Sequence, residues 1–415
     1  MKIFTPFNLK GMVLKNRIVK SATLENMATP EGLPTEETRR FYERLARGGA
    51  GLIITGYAYV NESGQAMPLQ NGIHKGQVVA GWRRITDAVH ELGGKIAMQI
   101  AHGGRQIKSG ALGGRKALAP SAIPDLAYFT VPKPMTEAEI LQTIRDFGNA
   151  AARVKEAGFD AVQIHGAHGY LISSFLSPLT NRRRDMWGGD FEHRLRFPAE
   201  VYNAVRMAVG PDFPVLYKLN VKDFIPFGTT PQDSFPAAQK LAELGLDAIE
   251  ISGGTGEIAL GVMRGDSFAD IIARDRSALA KYYLKLMLGV QKLFLPFHEA
   301  YFLSYAEKLR PLLNIPLILV GGIRSPETAE RAIESGSVDL VSMARPLIRE
   351  PGLPNKWLKG DRQPAQCVSC NRCLGEIEQG NRLKCYCEVC SRLPKIRDSL
   401  RTYLSQKSLN RRKSS

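Results

Sequence analysis

The sequence predicts an α/β chain: a (β/α)8 TIM barrel with a short C-terminal Cys-rich segment. Three observations carry this. Short β-branched apolar runs recur eight times, helix-length amphipathic segments separate them, and polar or glycine residues collect at the C-terminal end of each run. Near-continuous apolar strands alternating with helices are the pattern of parallel β buried on both faces. Eight such units over roughly 350 residues favour closure into a barrel over an open doubly wound sheet.

In chain order the runs are RIVKSAT (17–23), AGLIITG (50–56), KIAMQIAH (95–102), FDAVQIHG (159–166), FPVLYKLNV (213–221), LDAIEISGG (246–254), IPLILVGG (315–322) and VDLVSMARP (338–346). Residues 137–157, 232–245 and 326–336 are the clearest amphipathic helices between them. The run ends bring together Thr23, Gly56, Gln99 with His102, His165, Lys218, Ser252, Gly321 and Arg345, and that end is where barrel enzymes build their sites. One long excursion, 255–305, carries KYYLKLMLGVQKLFLPFHEAYF, too short and too charged for a bilayer span. It is expected to cover the barrel mouth or pack outside it.

Composition sets the limits. The 415 residues are 44% apolar and 23% charged, ordinary for a globular chain with a sizeable core. No long uncharged apolar stretch appears and Met1 to Lys10 lacks the order of a secretory signal, so the expectation is a soluble, cytoplasmic protein with no membrane partner. Residues 391–415 hold eight Lys/Arg against Asp398 alone, placing +7 of the net +16 in a polar tail. A solubilising terminus is preferred over a nucleic-acid or membrane arm. The expected divisions are a barrel over 1–360, a cysteine segment over 361–390 and a basic tail over 391–415.

Two late runs end in GGIRSP (321–326) and ARP (344–346). Glycines admit close backbone approach, Arg345 adds charge, and the loops after strands seven and eight are the usual phosphate cradle of this fold. GGTGEIA (253–259) satisfies a dinucleotide pattern literally, but no helix character follows it, so it reads as a barrel loop.

The heptapeptide HGAHGYL (165–171) holds two imidazoles and a phenol where a strand gives way to a turn. A metal pair lacks a third ligand nearby in sequence. Core histidines are the lesser option at the mouth end of a strand. The preferred reading has His165 and His168 converging on a carbonyl oxygen whose negative charge grows during reaction, with Tyr170 as proton donor.

All six cysteines lie between Cys367 and Cys390. A disulfide framework would spread them over the fold, so the cluster points to a metal or iron-sulfur site in a reducing compartment. Cys367, Cys370, Cys373 and Cys385 form C-x2-C-x2-C-x11-C, which suits a [4Fe-4S] cubane, with zinc as the rival.

Over residues 1–360 the chain resembles the Old Yellow Enzyme family of FMN-dependent NAD(P)H:flavin oxidoreductases. HGAHGYLISSFLSPLTNRRRDMWGGDFEHRLRF (165–197) is similar to the family signature, and NRIVKSAT (16–23), QIAHGGRQ (99–106), GGIRSP and ARPLI match its other landmarks. The resemblance implies FMN at the barrel mouth, with Ala22, Thr23, Gly56 and Gln99 around the ring, Gly321, Gly322, Ala344 and Arg345 on the phosphate, and Lys218 beside the flavin pyrimidine edge. It implies that His165 and His168 bind the oxygen of a small unsaturated substrate and that Tyr170 protonates the carbon α to the carbonyl.

The cysteine segment narrows the resemblance to the subset related to 2,4-dienoyl-CoA reductase, enoate reductase and trimethylamine dehydrogenase, which carry a [4Fe-4S] cluster and then a FAD/NAD(P)-binding half. With no room here for that half, electrons are expected from NAD(P)H directly or through a separate electron-transfer flavoprotein or ferredoxin. Lys218, Trp187, His193 and Leu24 depart from common family residues, and Cys387 and Cys390 are extra thiols. Ene-reduction of an activated C=C bond is the expected activity. The rivals are dehydrogenation of an amine or ring compound, reduction of tRNA uridines, which lacks its barrel cysteine here, and a non-catalytic electron-transfer subunit.

Overall fold

In the computed structural model, which describes residues 1–274 and 276–387, eight parallel strands close on themselves. They are β1 (Ile18–Lys20), β2 (Leu52–Ile54), β3 (Ile96–Ala101), β4 (Ala161–Gly166), β5 (Val215–Asn220), β6 (Ala248–Ser252), β7 (Leu317–Val320) and β8 (Leu340–Met343). Each pairs with the next, and Val341 opposite Ile18 joins β8 to β1. All eight lie within the expected runs. The barrel is closed, so it has no free edge.

The helices between strands include α1 (Glu36–Arg47), α2 (Val79–Glu91), α3 (Glu137–Glu156), α4 (Phe191–Val209) and α5 (Pro231–Glu243). The loop after β6 carries α6 (Ala278–Phe294) and α7 (Leu303–Leu309), and α8 (Pro326–Glu334) follows β7. Starts are set locally. Thr136 accepts from the Glu139 amide while the Glu139 side chain accepts from the Thr136 amide, a reciprocal cap that fixes the entry to α3.

The interior changes character along each strand. Inward positions recur every second residue, and they read Ala97 then Gln99 on β3, Ala161, Gln163, His165 on β4, Leu216, Lys218, Asn220 on β5, and Ala248, Glu250, Ser252 on β6. The apolar members pack with Leu9, Met12 and Leu14 of an N-terminal hairpin (Phe7–Leu9 with Met12–Leu14), forming one buried cluster at the strands' N-terminal ends. The polar members lie toward the C-terminal ends.

The cysteine segment lies on the barrel rather than apart from it. Its helix α9 (Arg372–Glu378) sits against the loop after β6, where a Cβ on Gly375 would meet Ile271 at 3.1 Å. Asn371 Nδ2 donates to Met263 and Asp266 carbonyls at 3.1 and 3.0 Å, and the Leu383 amide donates to the Glu25 carbonyl at 2.8 Å. Among the described residues no helix is long and apolar enough to cross a membrane. Cys390 and the basic tail over 391–415 lie outside the described residues.

Candidate active site

The polar half of the barrel interior is organised around Glu250. Its Oε1 accepts from Ser21 Oγ at 2.7 Å and Ser342 Oγ at 2.8 Å, and its Oε2 accepts from Gln163 Nε2 at 2.8 Å and faces Lys218 Nζ at 3.0 Å. Gln99 Nε2 continues the network to Gln163 Oε1 at 2.6 Å. Burial alone would raise the Glu250 pKa, but the Lys218 charge and these donors outweigh it and hold the carboxyl below its usual value. The strand register does this work, because Lys218 pairs with Glu250 on one side and His165 on the other. Glu250 is absent from the expected site residues, although it stands between Ile249 and Ile251 in the middle of the run.

Above this floor opens a cavity of 650 Å³ lined by Ala22, Thr23, Gln99, His165, His168, Tyr170, Lys218, Gly321, Gly322, Ala344 and Arg345. Of the residues expected to surround a flavin ring, Gly56 does not line it. Its amide donates to Glu25 Oε1 at 2.7 Å, and a Cβ there would sit 2.3 Å from Glu25 Oε2. The next residue, Tyr57, reaches the cavity instead.

His165, His168, Tyr170 and Tyr57 form one wall. The two imidazole centroids are 5.0 Å apart, and Tyr170 lies 5.0 Å from both His165 and Tyr57. His168 adopts φ +64°, and that turn brings it to the side of the strand end where its Nε2 lies 2.7 Å from Ser252 Oγ. The His165 Nδ1 is buried with no protein partner. Burial, then the His168 and Lys218 charges, push the His165 pKa well below the usual histidine value. His168 falls to about 3, from burial first and Lys218 second. Both rings are neutral, so each can offer one N–H. The Tyr170 hydroxyl donates to Tyr57 Oη at 2.8 Å, and burial holds both phenols above their ordinary pKa.

At the other end, Gly321 and Gly322 have φ of +126° and +77°. A Cβ on Gly321 would meet the Tyr301 ring at 2.9 Å, so only glycine lets the chain turn past it. Arg345 turns its guanidinium toward the cysteine segment, bonding the Arg264 carbonyl at 2.9 Å and Asn371 Oδ1. Arg324 also lines the cavity, with Nη1 on the Cys367 carbonyl at 3.2 Å and its buried Nε without a protein partner. Its place inside GGIRSP, next to the glycine turn, marks it in the sequence as a second cation at this end of the cavity.

The outer wall is apolar. Leu284, Met287 and Leu288 of α6 line it with Phe268 and Ile272, so the excursion does cover the barrel mouth. Leu374, Ile377 and Glu378 of α9 complete it. Tyr128 Oη lies 3.3 Å from both Glu378 carboxylate oxygens, and Lys108 Nζ is 3.4 Å from Oε2. Nearby, buried Asp125 and Glu257 flank Arg105, and burial plus the Glu257 charge raise Asp125 to about 6. The loop at 253–259 lines the cavity as a barrel loop, and Trp187 and His193 lie outside it.

Cys367, Cys370, Cys373, Cys385 and Cys387 converge with Arg345 on a separate 20 Å³ cavity. Burial first, and neighbouring cysteines after it, raise Cys370 to about 11 and Cys373 to about 12, with Arg345 opposing at Cys373. Among the described residues no three His, Cys, Asp or Glu side chains stand close enough to hold a metal ion as arranged. The donor set is thiol-rich, but it is not preformed around an ion.

A deep barrel-mouth cavity with a hydrogen-bonding floor, glycine turns and an arginine at one end, and unpartnered polar nitrogens on His165 and Arg324 fits a flat polar ring with an anionic tail. That is the site of a flavin-dependent oxidoreductase barrel. The chain belongs to the NADH:flavin oxidoreductase / NADH oxidase family, whose profile matches residues 2–258 and 272–363. It is 35% identical over 387 residues to the NADH oxidase of Thermoanaerobacter brockii, covering 92% of this chain and 55% of that protein. It thus spans little more than half of that relative. With the 4,4'-dithiodibutanoate disulfide reductase of Rhodococcus erythropolis it shares 36% identity over 392 residues, 92% of this chain and 94% of the relative. A solved structure of morphinone reductase superposes with TM-score 0.70 at 26% identity, covering 89% of this chain and 92% of that one.

Proposed function

We propose that the chain is an FMN-dependent ene-reductase acting on the activated C=C bond of an α,β-unsaturated carbonyl or thioester. FMN fits Ala22, Thr23, Gln99 and Lys218 around its ring and Gly321, Gly322, Ala344 and Arg324 near its phosphate, with Arg345 contributing charge from the side. When bound it supplies the hydride, drawn in turn from NAD(P)H.

The residues' own work follows from their protonation. Neutral His165 and His168 donate N–H to the substrate oxygen and stabilise the negative charge that grows there, a role that needs no proton transfer. Tyr170, kept protonated by burial, delivers its proton to the carbon α to the carbonyl, and Tyr57 at 2.8 Å can restore it. Lys218, fixed by Glu250, brings a positive charge to the floor where an electron-rich ring needs it. The α6 and α9 walls exclude water and select a bulky apolar substrate. The single observation that carries this reading is the wall where His165, His168 and Tyr170 meet, with ring centroids at 5.0 Å, over the Lys218 floor.

We infer further that Cys367, Cys370, Cys373 and Cys385 hold a [4Fe-4S] cluster, supported by their convergence on one cavity beside Arg345. Anaerobic purification with iron, zinc and acid-labile sulfide assays tests this. Equimolar iron and sulfide are expected; zinc without sulfide would assign the thiols to the rival metal. For the reaction, stopped-flow mixing of the FMN-loaded chain with NADH or NADPH is expected to bleach the flavin, and an unsaturated carbonyl to restore it. Bleaching by an amine and not by either nicotinamide would reverse the assignment.

A further inference from the structure

Arg345 follows the end of β8 and stands between two cavities, lining both the barrel mouth and the small cavity of the cysteines. Among the described residues it is the only charged side chain on that small cavity, where Ile348, Val368, Asn371 and Tyr386 surround the thiols. It is 8% exposed, and among the described residues no carboxylate pairs with it. A buried charge left in this way is costly unless an opposite charge comes to it.

Its pose is set from the cysteine side. Nη1 donates to the Arg264 carbonyl at 2.9 Å and to Asn371 Oδ1. Asn371 lies between Cys370 and Cys373, is 1% exposed and adopts φ +56°. Its Nδ2 hydrogens go to the Met263 and Asp266 carbonyls, so the amide has one orientation and presents its oxygen to Arg345. The Asp266 amide in turn donates to the Ser369 carbonyl at 3.0 Å, and a Cβ on Gly265 would collide with that carbonyl. Nη1 is therefore bound only by the cysteine segment and by the loop pressed against it.

The barrel mouth has another cation at the same end. Arg324 lines it, and its buried Nε has no protein partner, so a phosphate there has a guanidinium of its own. Four thiolates carry more negative charge than zinc, or an oxidised [4Fe-4S] core, can cancel. A loaded cysteine site is thus a net anion in a buried place, and Arg345 is the cation beside it.

We propose that Arg345, positioned by Asn371, is the counter-cation of the cysteine site rather than a ligand of the flavin phosphate. This rests on the reading that Cys367, Cys370, Cys373 and Cys385 bind as thiolates. The test is zinc titration of the full chain, stripped of metal anaerobically with a phosphine reductant, against a competing chelator. Arg345→Gln keeps a donor for the Arg264 carbonyl but removes the charge. It is expected to weaken zinc binding about 10–100-fold, the scale for outer partners of a metal site. Arg345→Lys is expected to lose less than about threefold, since the site needs a charge and not a fork. Thermal unfolding of the metal-free chains checks that they are folded. Should Arg345→Gln fail to fold, Asn371→Asp gives the same readout, because its carboxylate neutralises Arg345 in place. Preference for FMN over riboflavin, which lacks the phosphate, is expected to fall less in Arg345→Gln than in Arg324→Gln. Equal zinc affinity in wild type and Arg345→Gln overturns the proposal. So does an Arg345→Lys chain no better than Arg345→Gln, or a larger loss of FMN preference in Arg345→Gln than in Arg324→Gln. A wild type that binds no zinc overturns it together with the thiolate reading. A chain with the expected zinc pattern that takes up no flavin upholds it and removes only the flavin reading.

Discussion

Lys218 Nζ stands 3.0 Å from Glu250 Oε2, across two adjacent barrel strands and at the same register, with both side chains buried. Removing one partner strands the other charge in the interior. Lys218→Met and Glu250→Gln are each expected to destabilise the fold, Lys218→Met by about 3–5 kcal/mol and Glu250→Gln by less, since the amide keeps part of the hydrogen bonding. Urea unfolding measures this, and the double variant should cost less than the sum.

Tyr170→Phe removes the proposed proton donor and leaves the ring that packs 5.0 Å from His165. The expectation is a loss of ~10²–10⁴-fold in the oxidative half-reaction, with reduction by nicotinamide unchanged. Tyr57→Phe removes only the hydroxyl beside it, so a loss of about tenfold or less is expected from the same stopped-flow traces.

The imidazoles make a pH prediction. Burial keeps His165 and His168 neutral, His168 down to about 3, so neither should produce an inflection in turnover between about pH 5 and 8. Stability behaves differently. The unfolded chain takes up those protons near ~6.5 while the folded chain does not, so the fold weakens as pH falls below that value. Thermal unfolding of His168→Asn against wild type should diverge from neutral to acid pH, with the variant losing less.

Asp125 has the opposite sign. Raised to about 6 by burial and Glu257, it costs nothing below its unfolded value of ~3.9, and the penalty grows until pH passes about 6. Asp125→Asn keeps an oxygen for the Ala127 and Tyr128 amides, which Asp125 Oδ1 accepts at 3.0 and 2.8 Å. The variant is expected to gain roughly 1–3 kcal/mol over wild type between acid and neutral pH, read from urea midpoints.

Glu378 comes from the cysteine segment yet faces Tyr128 at 3.3 Å in the cavity wall. Glu378→Ala is expected to raise KM for a bulky unsaturated substrate by about tenfold, the scale of a lost charged hydrogen bond, while leaving flavin reduction unaltered. Steady-state kinetics with a small and a bulky substrate would separate this from general damage.

Much of the scaffold was legible because its signal is local. A parallel barrel strand is buried on both faces and so reads as a largely apolar run, which is why IPLILVGG announces β7 directly and FDAVQIHG announces β4 despite its inward Gln163 and His165. His165, His168 and Tyr170 were legible because one turn joins them. Tyr57 was not, since it reaches Tyr170 from the loop after β2, 113 residues away, and Glu250 was passed over because its partners come from the end of β1 and from β4, β5 and β8. The docking of α9 on the cavity is likewise a tertiary contact that no periodicity encodes. Arg345, read as a phosphate ligand, shows a side chain drawn aside by Asn371 of the cysteine segment.

The central claim is that the barrel mouth holds a flavin that nicotinamide can reduce, and the visible absorption spectrum of the anaerobic chain, incubated with FMN and desalted, tests it most directly. A retained yellow chromophore that NADH or NADPH bleaches, and that an unsaturated carbonyl restores, is the predicted result. A colourless protein that takes up no FMN would contradict the account.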